Sequence, residues 1–384
     1  MNQIRFALTL VLLMGSSLQA KAEYFILPAA IRLEGVGGIY GAAAGAKRLI
    51  GKRVNLIGGA SFGEVEAQGI LVSDIPFGFE NVGLMLGFAN ISRARFNTTY
   101  ARGLDSAPVF EQEISGQFFG GGPELRFLDE RFKLSLGLVI STINLDDYYI
   151  GDAKIERPNK SSYHAIKTSS YFFTTKYDSE PDDIKNGWNV GLSALTANGR
   201  VAQSDTLTTT YSLSGRLVFT PRWALVGSAR WSDAYITRQE KKYLSSAETK
   251  AALNTNCSTI IDANEQAKCQ SLEDSLANYI AANNMYGTAA PLGGSNGVQA
   301  FDEFSLRAAH TRLLALELRF QIASWLQAVP VYQMGWSADN SQSLYDRSVH
   351  SYGGGLRFKI KTLAARLAYA QTHDQSAWFL TIER

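Results

Sequence analysis

The chain has 384 residues, with 37 lysine and arginine side chains against 35 aspartate and glutamate side chains, which gives a formal net charge of +2. This balance leaves no basic patch of the kind that binds nucleic acid and no acidic tail of the kind that stays unfolded. After the N-terminus, no apolar run reaches the roughly 20 residues that a membrane-spanning helix needs. The composition therefore excludes a helical membrane protein and gives no reason to expect a nucleic-acid partner.

The first 22 residues have the layout of a secretory signal peptide. Arg5 provides a positive start, residues 6–14 form a short apolar core, and Ala20-Lys21-Ala22 fits an A-x-A cleavage site. We predict that residues 1–22 are removed after export through the Sec pathway and that the mature chain begins at Glu23. The alternative is an N-terminal transmembrane anchor, for which this apolar core is too short.

Residues 35–238 contain a series of segments in which apolar and polar residues alternate. Such a period of two is typical of strands with one apolar and one polar face. Residues 132–145 are an example, because Phe132, Leu134 and Leu136 fall on one face. Some connections between segments have two to five residues and others ten or more. Short turns at one end and longer loops at the other are typical of outer-membrane barrels.

Residues 239–311 break this alternation. The segment is polar and Ala-rich, and Leu272, Leu276 and Ile280 recur four apart, as on one side of a helix. We predict one long external loop that contains a short helix. The alternative, a separate small domain, has too few apolar residues for a core of its own.

The two cysteines, Cys257 and Cys269, both lie in this polar segment. In an exported chain an oxidising compartment favours a disulfide between them, and the alternative is a pair of free thiols. The four histidines are not clustered. The sequence therefore predicts neither a metal site nor a cofactor.

The strongest alternation occurs after the loop. Between residues 313 and 322 the apolar side chains share one face, and Glu317, Arg319 and Gln321 share the other. Because the polar face has almost no apolar filling, we expect hydrocarbon on the apolar face and water in the interior. The predicted fold is all-β, a transmembrane antiparallel β-barrel formed by residues 23–384, with roughly 14 to 16 strands and 16 favoured. The predicted lumen residues are Glu317, Arg319, Arg357, Lys359 and Arg366.

The order of motifs from residue 292 onward resembles the C-terminal barrel of the bacterial surface antigen superfamily, which includes BamA-type and TamA-type outer-membrane assembly factors. The motifs are Leu292-Gly293-Gly294, Val298-Gln299-Ala300-Phe301, Glu317-Leu318-Arg319-Phe320, Pro330-Val331-Tyr332-Gln333-Met334-Gly335 and Gly353-Gly354-Gly355-Leu356-Arg357-Phe358. The resemblance implies that the long loop folds back toward the lumen. It also implies a loop tip that reads Val-Arg-Gly-Phe/Tyr, whose arginine meets the aspartate of a Phe-x-Asp-x-Gly strand.

This chain departs from both motifs. Gln299 and Ala300 replace Arg-Gly, Val331 and Gln333 replace Phe and Asp, and Gly335 is kept. The arginine and the aspartate are both absent here. Loss of only one of them would leave the other as an unpaired buried charge, which is unfavourable, so their joint loss is physically consistent. We predict that Gln299 approaches Gln333 as a neutral pair inside the barrel. The resemblance also implies periplasmic POTRA domains, whereas here the predicted mature N-terminus enters the sheet almost at once, so we expect a barrel without them.

The resemblance implies a function in the assembly or translocation of protein or lipid at the bacterial outer membrane. Its partners would be outer-membrane lipid and, in place of POTRA domains, a separate periplasmic protein. The alternative is a passive diffusion channel or a structural barrel. No nucleophile elbow or phosphate-binding loop occurs in the sequence, so we predict that the protein is not an enzyme.

Overall fold

The computed structural model describes residues 24–383, except 34–35, 47–53, 78, 105–108, 151–152, 156–164, 181–184, 200–202, 242–243, 254–256, 296, 303 and 361–362. The predicted signal peptide lies outside the described residues. Within the described ranges, no helix is both long and apolar enough to cross a membrane.

One antiparallel sheet of 17 strands dominates the structure. The strands are β1 Tyr24–Leu33, β2 Gly37–Ala46, β3 Asn55–Gly63, β4 Val65–Phe77, β5 Phe79–Thr99, β6 Val109–Phe127, β7 Phe132–Ile150, β8 Ala153–Ile155, β9 Ala165–Asp178, β10 Gly187–Gly199, β11 Asp205–Thr220, β12 Trp223–Arg238, β13 His310–Ala323, β14 Leu326–Ala338, β15 Val349–Ile360, β16 Leu363–Gln371 and β17 Ser376–Glu383. The helices are α1 Ser246–Leu253 and α2 Ala263–Tyr286, with 3₁₀ turns at Cys257–Thr259 and Ser341–Ser343.

Sixteen of these strands form the wall of a barrel. Each pairs with the next one along the chain, except that β8 only extends the end of β7, and β7 continues to β9. The sheet curls until Cα atoms of β1 and β17 lie within 8 Å of each other. Among the described residues, no hydrogen-bond register joins these two strands. The prediction of an all-β barrel with about sixteen strands is confirmed.

The two faces of the wall differ as the alternation predicts. In β14 the inward residues Gln327, Val329 and Gln333 are buried, whereas the outward Tyr332 is 45% exposed. The outward apolar side chains recur around the barrel and include Phe62, Phe88, Phe119, Leu136, Tyr171, Leu213, Leu316 and Trp378. An exposed apolar belt of this extent needs an apolar environment, which a bilayer provides.

The two ends of the barrel have different connections. The turns between β6 and β7, β11 and β12, and β13 and β14 span only a few residues, whereas the loop between β12 and β13 covers residues 239–309. If β8 is left out, this loop joins the eleventh and twelfth wall strands. The long loop, residues 239–309, therefore stands at the external end, opposite the short turns.

An arginine introduced on the outward face of a strand should affect stability differently from one introduced on the inward face. We expect Leu213→Arg, on the exposed apolar face of β11, to lower the free energy of unfolding by about 2–4 kcal/mol, because it places a guanidinium against lipid. The neighbouring Ser214→Arg points into the lumen and should change stability little. Chemical unfolding in lipid vesicles, followed by tryptophan fluorescence, measures both. Equal losses for the two variants would contradict this assignment of faces.

Candidate functional site

Helix α2 lies against the inner wall at the external end of the barrel. Leu272 and Leu276 pack on Tyr100, Phe110 and Tyr148, which lie after β5, in β6 and in β7. The phenol groups of Tyr100 and Tyr148 are 2.9 Å apart, and both lie 3.1 Å from the Gln112 amide. The apolar spacing of four in the sequence therefore does mark the packed face of a helix.

The helix is longer than the short helix that the sequence predicts. It has 24 residues, because Asp262 caps its start by accepting hydrogen bonds from the backbone of Asn264 and Glu265 at 2.9 and 3.0 Å. Its end is set by Gly287, which adopts a φ of 77° that favours glycine. These two signals lie outside the apolar pattern, so the pattern alone underestimates the length.

Cys257 and Cys269 form a disulfide that ties the 3₁₀ turn to α2. Both cysteines are buried. Lys250 of α1 also contacts Asp274 of α2 at 2.5 Å. The polar external part of the long loop is therefore fixed as a two-helix cap. Among the described residues, no group of three histidine, cysteine or acidic side chains could hold a metal ion.

The disulfide predicts a local effect on this cap. Closing a loop of 12 residues stabilises the folded cap by about 2–3 kcal/mol. Cys257→Ser together with Cys269→Ser should speed hydrogen exchange in α1 and α2 and leave β13–β16 unchanged. Ser258→Ala is the control, since it alters the same turn and keeps the disulfide. Unchanged exchange in α2 of the double variant would contradict the assigned role.

Arg102 clamps the point at which the chain leaves α2. Its guanidinium contacts both carboxylate oxygens of Asp339, with the nearest atoms 2.5 Å apart, and donates to the Thr288 hydroxyl at 2.8 Å and to the Gly287 carbonyl at 2.6 Å. Tyr279 presents its ring 5.8 Å from this guanidinium. The clamp joins the β5–β6 loop, the long loop and the β14–β15 loop at one place.

Tyr279 has a shifted pKa because two arginines face it. Burial raises the pKa of its phenol, but the positive charges of Arg307 and Arg102 lower it, and the net direction is below the ordinary value. The Arg307 guanidinium lies 5.6 Å from the centre of the Tyr279 ring. The phenol is therefore part of the polar clamp, although the neighbouring Leu272 and Leu276 of α2 pack on apolar groups.

Beyond Gly287 the long loop descends into the lumen along β12 and β13. Ser232 accepts a hydrogen bond from the backbone of Ala290 at 3.0 Å, and Thr311 donates to the Ala290 carbonyl at 2.8 Å. Arg230 donates to the carbonyl of Pro291 at 2.7 Å. Polar inward side chains of the wall thus pair with loop backbone that is not part of any strand, as buried backbone requires.

The loop turns back at residues 293–298. Val298 donates its backbone N–H to the Leu292 carbonyl at 2.7 Å, and a parallel bridge joins Gly293 to Val298. Leu292 and Val298 are fully buried and pack against Leu313 of β13. A Cβ on Gly335 would lie 2.5 Å from Leu292 Cδ2 and 2.8 Å from Val298 Cγ2. The absence of a side chain at Gly335 therefore leaves the space that Leu292 and Val298 of this turn occupy.

The tip residues Val298, Gln299, Ala300 and Phe301 lie inside the lumen. Gln299 donates its backbone N–H to Gln333 Oε1 at 2.8 Å, and Ser351 donates to the same oxygen at 3.0 Å. The structure thus brings Gln299 and Gln333 together, but not as a pair of side-chain amides. Gln299 Oε1 is buried and has no hydrogen-bond partner among the described atoms.

Ala300 and Phe301 complete the tip. Ala300 has a φ of 80°, a left-handed conformation in which glycine is less strained. Ala300 packs against Ala370 of β16 and against Ala377 and Phe379 of β17. Phe301 packs on the cluster of Leu292 and Val298. The tip therefore reaches the last strand of the barrel, beside the approach of β17 to β1.

Glu317 and Arg319 lie in the lumen but not at the tip. Glu317 contacts Arg319 at 2.5 Å and Arg366 at 2.7 Å. Arg357 donates to Gln327 at 3.1 Å. This group lies further toward the short-turn end than Gln333. The Glu317 carboxylate thus pairs with guanidinium groups on this part of the wall. The loop tip contacts a neutral part of the wall nearer the external end.

The opposite half of the lumen differs from the sequence prediction. In the middle of β2–β9 the inner face is lined by glycines and apolar side chains, which form an open groove of about 540 Å³. Its residues include Ala43, Ile57, Gly59, Gly69, Leu71, Met85, Gly87, Ala89, Phe118, Gly120, Val139 and Phe172. The expectation that the inner face has almost no apolar filling was drawn from residues 311–384. There the inward polar residues are accompanied by the buried Leu313, Val329 and Val331, and in β2–β9 apolar residues predominate around the groove. Around the groove both faces of the strands are apolar, so alternation cannot distinguish them.

Sequence reasoning missed two parts of the site. The clamp of Arg102 and Asp339 joins residues 237 positions apart, in two loops without a motif. The apolar groove joins side chains from seven strands. The runs of apolar residues and glycine in β3–β7 were the only available signal for the groove, and they do not show which face is inward.

We expect Gly335→Ala to displace the tip, because the added methyl group meets the packed side chains of Leu292 and Val298. Protease cleavage within residues 287–309 should become faster in the variant, by a factor that corresponds to about 1–3 kcal/mol of lost packing. Gly227→Ala is a matched control in β12, where nothing lies within 4 Å of an added Cβ. Equal protection in both variants would show that the turn does not rest on Gly335.

These features define a class of protein: a sixteen-stranded barrel whose external loop is folded onto the inner wall of its last strands. No family model matches the chain, and no curated protein matches it. Among solved structures, the chain is similar to BamA from Haemophilus ducreyi lacking POTRA domains 1–3, with a TM-score of 0.56, 12% identity, and coverage of 94% of this chain and 70% of that chain.

Two further structures are similar to the chain, CdiB from Acinetobacter baumannii and CdiB from Escherichia coli. Their TM-scores are 0.56 and 0.55, each at 11% identity, and the matches cover 94% of this chain and 60% and 63% of those chains. The chain thus spans 60 to 70% of the length of the three structures. At this identity the comparison shows the fold. The resemblance to BamA-type barrels that the motifs indicated is confirmed at that level.

Proposed function

We propose that the protein is an exported barrel of the bacterial outer membrane that acts in the assembly or translocation of protein or lipid. The observation that carries this proposal is the loop seated on β12–β17, with its tip bonded to Gln333 and packed on Phe379. A loop fixed so extensively to the inner wall occupies part of the passage that free diffusion of solutes would use. The shared fold with BamA and CdiB supports the same reading.

The contacts of the tip suggest what the loop does. Ala300 packs on residues of β16 and β17, the strands next to the barrel's first strand. A displacement of the tip would remove the apolar cover from Ala377 and Phe379 and expose them to the lumen. In the proposed function the loop therefore supports the end of the sheet while closing the passage through it. Outer-membrane lipid surrounds the barrel, and a separate periplasmic protein delivers its cargo.

The second candidate function is a passive diffusion channel, which the uncovered inner wall of β2–β9 favours. The chemistry of that wall argues against it, because aqueous channels through outer-membrane barrels have polar interiors. In neither candidate is the protein an enzyme. The two candidates differ in whether the path is open in the resting state, which is a measurable property.

Two measurements test the proposal. In planar lipid bilayers, we expect the intact protein to show low conductance with brief openings, and Gly335→Ala to open more often because its loop tip is displaced. In the bacterium, loss of the protein should change the protein or lipid composition of the outer membrane. Gly227→Ala is the control in both measurements. A large steady conductance of the intact protein, together with unchanged membrane composition, would favour the diffusion channel.

A further inference from the structure

The apolar groove inside the barrel needs an occupant that the loop does not provide. The loop contacts β11–β17, and α2 covers β5–β7 only at the external end, at Phe110 and Tyr148. In β6, Phe118 is an even number of positions from Phe110 and therefore shares its inward face. In β7, the bulge at Asp146, opposite Glu113 and Ile114, puts Val139 on the same inward face as Tyr148. This apolar wall is therefore turned toward the lumen and not toward the surrounding bilayer.

The floor of the groove is a row of small residues in register across four strands. Ala43 pairs with Gly59, Gly59 pairs with Gly69, and Gly69 pairs with Ala89. Ala89 then pairs with Phe118 of β6, where the row ends at an aromatic ring. The next row toward the short turns contains Ile57, Leu71, Gly87, Gly120 and Val139. The result is a shallow channel with a smooth floor and apolar sides.

A hydrocarbon chain fits this channel better than a polypeptide does. The strands under the groove pair on both edges, so their backbone groups are already used in ladders. A polypeptide in the groove would find no backbone partners there and would leave its own amides unpaired. An acyl chain makes no such demand, and each buried CH₂ contributes about 0.8 kcal/mol.

The short-turn side of the groove has two lysines that could face an anionic head group, beside an arginine, Arg126, that is already paired with Asp74 and Glu124. Lys133 and Lys176 are directly opposite each other on β7 and β9, on the same inward face as Phe172. Like charges in this position are unfavourable unless an anion lies between them. Glu130 lies 3.8 Å from Lys133, but it is also 3.7 Å from Arg126 and is mostly exposed. Within the described part of the chain, Lys176 has no salt-bridge partner.

The lysine pair and the groove are at a suitable separation for one amphiphile. Phe172 is four residues above Lys176 on β9, which is about 13 Å along a strand. Ser135 and Thr174 pair with each other between the two levels. The Ser135 hydroxyl donates to Glu124 Oε2 at 3.4 Å, so the Thr174 hydroxyl is the one that faces the polar linkage. A phosphate at the lysines would thus place an acyl chain over Phe172 and Val139.

We infer that the lumen holds an anionic phospholipid, with its phosphate at Lys133 and Lys176 and an acyl chain in the groove. The inference rests on the proposed function in one respect, namely that the barrel is embedded in a membrane. It names the ligand that the interior of the barrel receives.

The experiment uses the intact protein in phosphatidylcholine vesicles that contain phosphatidylglycerol with a diazirine in its acyl chain. After illumination, mass spectrometry locates the modified residues. Bulk lipid labels the outward Leu213, Leu316 and Trp378, which do not line the groove. We expect additional labelling of the inward Leu71, Met85 and Phe172. Labelling should be absent at Gln327 and Gln333, whose side of the lumen is occupied by the loop and by polar side chains.

Variants then separate the head group from the chain. Lys133→Gln with Lys176→Gln should lower inward labelling at least fivefold and leave outward labelling unchanged. Gly87→Leu fills the groove and should also lower inward labelling, since an added Cβ lies no closer than 3.4 Å to Leu71 Cδ1 and 3.8 Å to the Ile70 carbonyl. Gly215→Leu is the control on the outward face of β11, where nothing lies within 4 Å of an added Cβ.

The outcomes distinguish the two proposals. Outward labelling without inward labelling overturns the lipid site and leaves the membrane barrel intact. Absence of outward labelling overturns the membrane barrel, and with it the lipid site. Equal inward labelling by a diazirine phosphatidylcholine, unaffected by the lysine variants, overturns the selection for an anionic head group. Inward labelling that depends on both the lysines and Gly87 supports the inference.

Discussion

The whole structure depends on one constraint: a sheet in hydrocarbon must pair every backbone N–H and C=O within itself. The sixteen wall strands meet this constraint by pairing each with the next, so only the approach of β1 to β17 lacks a described register. The other features build on that pairing. Because the outward face is reserved for lipid, all specific interactions of the protein must be made inside the barrel or at its ends.

The interior is divided between two kinds of contact. On the side of β12–β17, polar side chains such as Ser232, Thr311 and Gln333 accept or donate hydrogen bonds to the loop backbone, and the tip sits above the group of Glu317, Arg319 and Arg366. On the side of β2–β9 the middle of the wall is apolar, and the loop does not cover it. A neutral tip suits this division, because a charged tip would need a buried counter-ion at a position where Gln333 now stands.

Glycine has different roles at the two sides. At Gly335 the absence of a side chain leaves room for Leu292 and Val298, so the loop can be fully seated. At Gly59, Gly69 and Gly87 it leaves the inner wall smooth and gives the groove its depth. At the tip itself the chain has Ala300 in a left-handed conformation. The packing of its methyl group on Phe379 offsets part of that strain.

The sequence by itself determined the strand alternation, the barrel class, the loop between residues 239 and 311, and the helical spacing of Leu272 and Leu276. These follow from local periodicity, because a period of two or of nearly four needs no knowledge of distant residues. The motifs also indicated that Gln299 and Gln333 belong to one site. Only the tertiary structure decided that Gln299 uses its backbone, that Arg102 reaches Asp339, and that one half of the lumen is apolar. Those features depend on which strands become neighbours and on which face of each strand turns inward. Where both faces of a strand are apolar, the sequence pattern does not show which face is the inner one.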